Sequence, residues 1–202
     1  MRENKLLLGL MFLCVIIACS HRTKYEYASY VQEEKNGLNK KVLVDNWEYI
    51  AQYKPTEYII SYEEENDKTF NAELRRKQLK GTLWFNITIK NLKGSSSLRE
   101  NSSSAEDYNK KYGYYLNEAK DNITLVYNGL TLKPISYVFE NNFDMAPLET
   151  LVVGFALPVG DSIPCYDVQL IYKDVLLENG IIKFLFNKTD LNTLPEYIHE
   201  KK

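Results

Sequence analysis

Residues 123–133 read ITLVYNGLTLK, two strand-forming runs joined by Asn128-Gly129. Asn-Gly between two such runs is a strong signal for a two-residue β-hairpin, because both residues tolerate positive φ. A second hairpin is predicted where residues 168–175 and 181–186 flank Glu178-Asn179-Gly180. Paired strands with tight turns therefore dominate the second half of the chain.

Further strand patterns lie on both sides of the first hairpin. Residues 82–90 read TLWFNITIK, in which every second residue is apolar, the clearest strand pattern in the chain. Similar alternation occurs at 47–53 and, after Pro55, at 58–62. Residues 135–140 and 148–157 complete the set of predicted strands. Short strands separated by turns favour a sandwich or barrel.

Two helices are predicted as insertions between these strands. Residues 69–79 are rich in helix-forming residues. Ser103-Ser104-Ala105-Glu106 has the spacing of a capping box at a helix start. Tyr108, Tyr112 and Tyr115 then fall on one helical face, which is expected to pack against the core.

The later strands carry a resemblance to a known fold. Residues 123–187 resemble the second half of an immunoglobulin-like sandwich, without the paired cysteines and the core tryptophan of true immunoglobulin domains. The predicted fold class is therefore mainly β, an immunoglobulin-like antiparallel β-sandwich with one or two short inserted helices. It is expected to form a single domain over residues 42–195.

The amino terminus has the pattern of an export signal. Arg2 and Lys5 precede residues 6–18, LLLGLMFLCVIIA, which are apolar without a break. A helix of that length spans about 20 Å, less than the roughly 30 Å hydrocarbon core of a bilayer. A charged start, a short apolar stretch and a small residue at its end are typical of a signal peptide, not of a transmembrane helix.

The end of this segment resembles the lipobox of bacterial lipoproteins in Ile16-Ile17-Ala18-Cys19. The resemblance implies that Cys19 carries the lipid, with diacylglycerol on its thiol, and that cleavage falls between Ala18 and Cys19. Two or three acyl chains would hold the protein on a membrane without a spanning segment. Ser20, in place of Asp, implies transfer to the outer membrane, on its periplasmic or surface face.

These features predict the organisation of the whole chain. Residues 1–18 are the signal peptide, 19–41 a lipidated flexible tether, 42–195 the sandwich domain and 196–202 a C-terminal tail. Once Cys14 leaves with the signal and Cys19 is acylated, Cys165 has no disulfide partner. We expect it to pack as a small hydrophobic residue.

Composition and charge exclude several classes of function. The 202 residues include 25 Lys and Arg against 27 Asp and Glu, a net charge of -2, so no basic field points to nucleic acid. His21 lies in the expected tether and His199 near the last residue, which leaves no rigid base for nucleophilic catalysis. No His–Cys cluster suits zinc, and the acidic run at 63–67 is expected to be a solvated turn. No catalytic residue, metal site or cofactor is predicted.

The function that the sequence favours is a non-catalytic, lipid-anchored module that binds or assembles with another protein of the bacterial envelope. Two alternatives stay open. The first is a carbohydrate-binding surface lipoprotein whose exposed tyrosines and tryptophans, Trp47 and Trp84, stack on sugars. The second is a hydrolase that uses a pair of carboxylates, for which Glu140 and Asp144 are the candidates.

Overall fold

Two antiparallel sheets form the centre of the computed structural model, which describes residues 21–67, 69–100, 102–142 and 145–197. The larger sheet has five strands, in the order β2 (Asn39–Val44), β3 (Trp47–Lys54), β4 (Thr82–Asn91), β8 (Leu148–Ala156) and β7 (Ser136–Glu140). The smaller sheet has four, in the order β10 (Gly180–Phe186), β9 (Val168–Asp174), β5 (Ile123–Tyr127) and β6 (Leu130–Leu132). A short parallel pair joins β1 (His21–Arg22) to β11 (Glu196–Tyr197).

Both predicted hairpins are confirmed. Strands β5 and β6 pair around Asn128 and Gly129, whose φ angles of 47° and 74° are those of a tight two-residue turn. Strands β9 and β10 pair in the same way, with Gly180 at a φ of 79°. The alternating pattern of residues 82–90 forms β4, in which every second side chain is buried.

The core lies between the two sheets and is rich in aromatic rings. Phe85 of β4 meets Phe186 of β10 with ring centroids 5.2 Å apart, and Tyr49 of β3 meets Tyr172 of β9 at 6.4 Å. Strands β2 and β10, at one end of each sheet, contact each other. Large apolar side chains from both inner faces therefore form one continuous core.

Helices are more extensive than the one or two predicted. Strands account for 37% of the described residues and helices for 32%, so the fold is mainly β by a narrow margin. The described helices are α1 (Lys24–Gln32), α2 (Thr56–Asn66), α3 (Ala72–Leu79), α4 (Ser97–Glu100), α5 (Ala105–Asn117) and α6 (Lys188–Asn192). Within the described ranges, no helix has the length and apolar character needed to cross a bilayer.

Helix α5 is the predicted tyrosine helix, and it packs on the core as expected. Ser104 caps its start by accepting a hydrogen bond from the backbone N–H of Asp107 at 3.1 Å. Tyr115 is buried and stacks on Phe139 of β7 with centroids 5.2 Å apart. The N-cap is Ser104 and not Ser103, the first residue of the predicted capping box. The third helical residue is therefore Asp107, where the prediction had Glu106.

The expectation of a flexible tether is wrong for residues 24–41. Helix α1 places Tyr27 and Val31 in the core, and Leu38 is also fully buried. The Glu26 carboxylate accepts a hydrogen bond from the N–H of Thr23 at 2.9 Å, which closes the first turn of the helix. Tyr27 and Val31 are four residues apart, so they share one helical face. This apolar stripe is only two residues long and lies among polar residues, so the sequence pattern did not indicate a helix.

Residues 58–62 are the second correction, because they form part of helix α2 and not a strand. Tyr58 and Tyr62 alternate with Ile60 in a strand-like pattern, but they are also four residues apart. In the helix their rings lie side by side with centroids 5.0 Å apart. The acidic run expected as a turn continues the same helix as far as Asn66.

Candidate functional site

Two consecutive strands, β6 and β7, each end a sheet. Strand β7 ends the five-stranded sheet and β6 ends the four-stranded sheet, and no other strand of the described ranges pairs with their outer edges. The two strands follow each other in the chain, so one short connection links the two edges. Unpaired backbone N–H and C=O groups on such edges can pair with a strand from another chain.

Apolar side chains accompany these free edges. Leu130 of β6 is 51% exposed, Ile135 before β7 is 61% exposed and Val138 within β7 is 52% exposed. The opposite ends of the sheets differ, because β2 and β10 contact each other there. We call the surface formed by Leu130, Ile135 and Val138 the open edge.

A cleft of about 570 Å³ lies elsewhere, beside β11. It is bounded by α1, by the first turn of α2, by the residues that connect α3 to β4 and by the chain around residues 162–164 and 191–197. Its apolar walls come from leucine, isoleucine and proline side chains, namely Leu79, Ile163, Pro164, Leu191, Leu194 and Pro195. We call this feature the tyrosine cleft, because Tyr27, Tyr53 and Tyr197 also line it.

The tyrosines of the cleft are held by the core. Tyr27 is 1% exposed and meets Tyr197 edge to face, with ring centroids 5.8 Å apart. Burial, followed by the nearby Glu57 carboxylate, raises the pKa of Tyr27 well above its usual value. Burial raises the pKa of Tyr53 to about 12. Both hydroxyls therefore stay protonated at neutral pH and can donate hydrogen bonds.

An ion pair forms part of the polar lining of the cleft. The Arg76 Nε donates to Glu57 Oε1 at 2.7 Å, and Arg76 Nη2 donates to Glu57 Oε2 at 2.9 Å. This two-pronged geometry fixes both side chains. Glu57 lies in the first turn of α2 and Arg76 in the last turns of α3, so the packing of these two helices determines where the pair stands.

A second buried polar group links the two sheets. Asp174 at the end of β9 is 3% exposed and accepts a hydrogen bond from the hydroxyl of Tyr49 in β3. It also accepts one from the N–H of Leu177 at 3.0 Å. Burial raises the pKa of this carboxyl above its ordinary value. Asp174 does not line the tyrosine cleft, and its partners come from both sheets, so we interpret it as a structural link.

The residues predicted for lipidation and cleavage, Cys19 and Ala18, lie outside the described residues, as does Asp144. Glu140 ends β7 and is exposed. The carboxylate pair therefore stays a prediction. No group of three or more His, Cys, Asp or Glu side chains is placed to hold a metal ion anywhere in the described ranges.

The two tryptophans are not exposed platforms. Trp47 is half-buried and packs against the core. Trp84 is also half-buried, and its ring lies so close over Gly154 that a Cβ atom there would come within 3.0 Å of it. Its indole N–H donates to the hydroxyl of Thr82 at 3.0 Å.

Cys165 is a further correction, because its side chain is exposed and not packed as a hydrophobic residue. It lies in the chain that connects β8 to β9, where its backbone N–H donates to the hydroxyl of Tyr127 at 3.0 Å. This contact fixes the backbone of the connection and leaves the thiol at the surface.

The tyrosine cleft was not predicted from the sequence. Its members are far apart in the chain, with Tyr27 in the segment expected to be a tether and Tyr197 in the expected tail. The spacing of Tyr27 and Val31 was the one local signal, since it identifies the helix that carries the first cleft residue. A scan of protein-family models and searches of curated proteins and of solved structures find no significant match to this chain.

Proposed function

We propose that this chain is a lipid-anchored, non-catalytic binding module of the bacterial envelope that holds another envelope protein at its open edge. The observation that carries the proposal is the pair of free strand edges on β6 and β7 with exposed Leu130, Ile135 and Val138 beside them. A partner segment in extended conformation would add a strand next to β7, with its backbone paired and its apolar side chains against Val138.

The anchor belongs to the same proposal and rests on the lipobox around Cys19. Strand β1 begins at His21 and pairs with β11, so Ser20 would be the only link between the lipid-bearing Cys19 and the folded domain. Two extended residue steps span about 7 Å at most. The domain would therefore stay close to the membrane surface.

The immunoglobulin-like character of the fold is also part of the proposal. It is supported by the antiparallel sheet of β10, β9, β5 and β6, which faces the five-stranded sheet through aromatic contacts. In such sandwiches the loops and the sheet edges provide the contact surfaces.

The anchor is tested by labelling bacterial cells with palmitate. We expect the wild-type protein and the variant Cys14→Ala to incorporate label, and Cys19→Ala to lose it. Label that persists in Cys19→Ala, or that disappears only in Cys14→Ala, would contradict the assignment of Cys19.

The open edge is tested by a photocrosslinking amino acid placed at Val138. A matched control carries it at Ile181 of β10, a strand residue that is 61% exposed on the strand that contacts β2. We expect irradiation of cells to attach an envelope protein at position 138 and to attach much less at position 181. Equal products at both positions, or none at either, would rule out the open edge as the contact surface.

A further inference from the structure

The connection between β8 and β9 carries apolar side chains that face solvent. Val159 is fully exposed, Ile163 is 60% exposed and Tyr166 is 46% exposed. We call residues 158–166 the apolar loop. Exposed apolar residues scattered singly are ordinary on a protein surface, whereas three of them in one short loop indicate a contact surface.

The apolar loop is fixed in its exposed position by hydrogen bonds. The N–H of Asp161 donates to the Pro158 carbonyl oxygen at 3.0 Å, which closes a turn with Val159 inside it. The Asp161 carboxylate, the one charged group of the loop, accepts from the Tyr127 hydroxyl at 2.7 Å. The same hydroxyl accepts from the N–H of Cys165 at 3.0 Å. The fold therefore holds the apolar side chains outward and ties the only charge to Tyr127.

The apolar loop lies next to the first described strand. The Asn192 side-chain amide donates to the Pro164 carbonyl oxygen at 2.7 Å, which joins the loop to the chain just before β11. Ile163 and Pro164 also line the tyrosine cleft together with Glu196 of β11. Glu196 pairs with His21 of β1. The loop and β1 are therefore close together, with β11 in contact with both.

This location indicates which surface the apolar loop meets. With the lipid on Cys19, Ser20 alone would link the bilayer to β1, and two residue steps span about 7 Å at most. The polar headgroup layer of each leaflet is roughly 5–8 Å deep. Segments beside β1 would therefore stand at the bilayer surface, where apolar side chains and amphipathic tyrosine rings are favoured.

We propose that the apolar loop is a second membrane contact, with Val159 and Ile163 inserted among the lipid headgroups and Tyr166 at the interface. The inference rests on the lipid anchor of the proposed function and adds an orientation to it. A lipid anchor alone would let the domain rotate about Ser20, whereas an anchor and an inserted loop hold one end of the molecule against the bilayer.

The opposite end of β4 provides a matched control position. Thr82, the first residue of β4, pairs with Ala156, two residues before the apolar loop. The ten residues of β4 rise about 3.3 Å each, so Leu92, which follows the strand, lies about 30 Å from that end. Leu92 is apolar and 49% exposed, as the loop residues are, but the proposed orientation turns it away from the lipids.

The test uses the lipid-bearing protein, extracted from cells and reconstituted in vesicles of phosphatidylethanolamine and phosphatidylglycerol. A nitroxide label is attached to the exposed thiol of Cys165, whose Sγ lies 3.6 Å from the Ile163 carbonyl oxygen. The control carries the label at Leu92→Cys in a Cys165→Ser background. Electron paramagnetic resonance then measures how often each label collides with oxygen, which is enriched in the bilayer, and with a nickel chelate, which stays in water.

We expect the label at Cys165 to collide with nickel several-fold less often than the label at position 92, and more often with oxygen. The double variant Val159→Asp with Ile163→Asp should restore the nickel collisions at Cys165 while palmitate incorporation is retained. Both substitutions are at exposed positions, and circular dichroism verifies that the variant is folded.

The outcomes separate this inference from the anchor. Protein without palmitate would overturn the anchor and the membrane contact together. Lipid-bearing protein whose two labels collide equally with nickel would overturn the membrane contact alone, and so would a label at Cys165 that the double variant does not move. Spin–spin broadening at Cys165 would also overturn it, because it would show a second copy of the chain on the loop.

Discussion

Asp174 shows how a single buried carboxyl couples the two sheets. Its partners, the Tyr49 hydroxyl and the Leu177 N–H, come from β3 and from the turn after β9. Replacing it with alanine would leave both donors unsatisfied. An unsatisfied buried donor costs about 1–3 kcal/mol, so we expect Asp174→Ala to lower the free energy of unfolding by at least that amount. Asp174→Asn keeps an acceptor for these donors and should lower the free energy of unfolding by less than Asp174→Ala does.

The same residue predicts a pH dependence of stability. Burial raises the pKa of Asp174 above its ordinary value of 3.8, so the folded state holds the proton more tightly than the unfolded state. The stability that this proton provides is complete below pH 3.8 and is lost as the pH rises through the raised pKa. Urea unfolding at a series of pH values should show wild-type stability falling relative to Asp174→Asn over that window. A constant difference between the two proteins would contradict the prediction.

Two glycines give opposite predictions for the same substitution. A Cβ at Gly154 would lie 3.0 Å from the Trp84 ring, whereas one at Gly113 would meet nothing within 4 Å. We expect Gly154→Ala to destabilise by about 1–3 kcal/mol, because the indole must move. Gly113→Ala, inside α5, should stabilise by about 0.5–1 kcal/mol. Thermal unfolding checks both, and an unaffected melting temperature in Gly154→Ala would show that Trp84 is free to shift.

Among the elements, α5 depends on its first turn. Ser104 accepts from the N–H of Asp107, and the Asp107 carboxylate accepts from the N–H of Ser103 at 3.0 Å. We expect Ser104→Ala to lower the free energy of unfolding by about 1 kcal/mol, the usual value of an N-cap. Ser104→Asp should restore the stability, since aspartate is also a good cap. Equal losses in both variants would argue against the cap.

Elements with one strong local signal were predicted correctly from the sequence. The turn residues Asn128-Gly129 predict a hairpin, and the two-residue period of residues 82–90 predicts a strand. Each signal is compatible with one structure only, which the fold confirms. Residues 58–62 allow two readings, since three apolar residues spaced by two also contain an i, i+4 pair. Helical packing of Tyr58 on Tyr62 decides between them, and that contact is visible only in the folded chain.

At the scale of the molecule, the unpredictable parts are those built from distant segments. The tyrosine cleft joins Tyr27 of α1, Glu57 of α2, Arg76 of α3 and Tyr197 of β11. Periodicity describes one element at a time, so it gives no information on which elements meet. The free edges of β6 and β7 are likewise a property of strand order and not of any single strand.

The inclusion of α1 in the fold changes what the amino-terminal region does. A tether would tolerate almost any polar residue, whereas α1 contributes Val31, which is fully buried, and Tyr25, which is 79% exposed. We expect Val31→Asp to destabilise the domain by more than about 3 kcal/mol, because it places an unpaired charge in the core. Tyr25→Asp should change stability by less than about 0.5 kcal/mol. Urea unfolding of both variants compares their free energies of unfolding. Equal stability of the two would indicate that residues 24–32 form a flexible tether and not a packed helix.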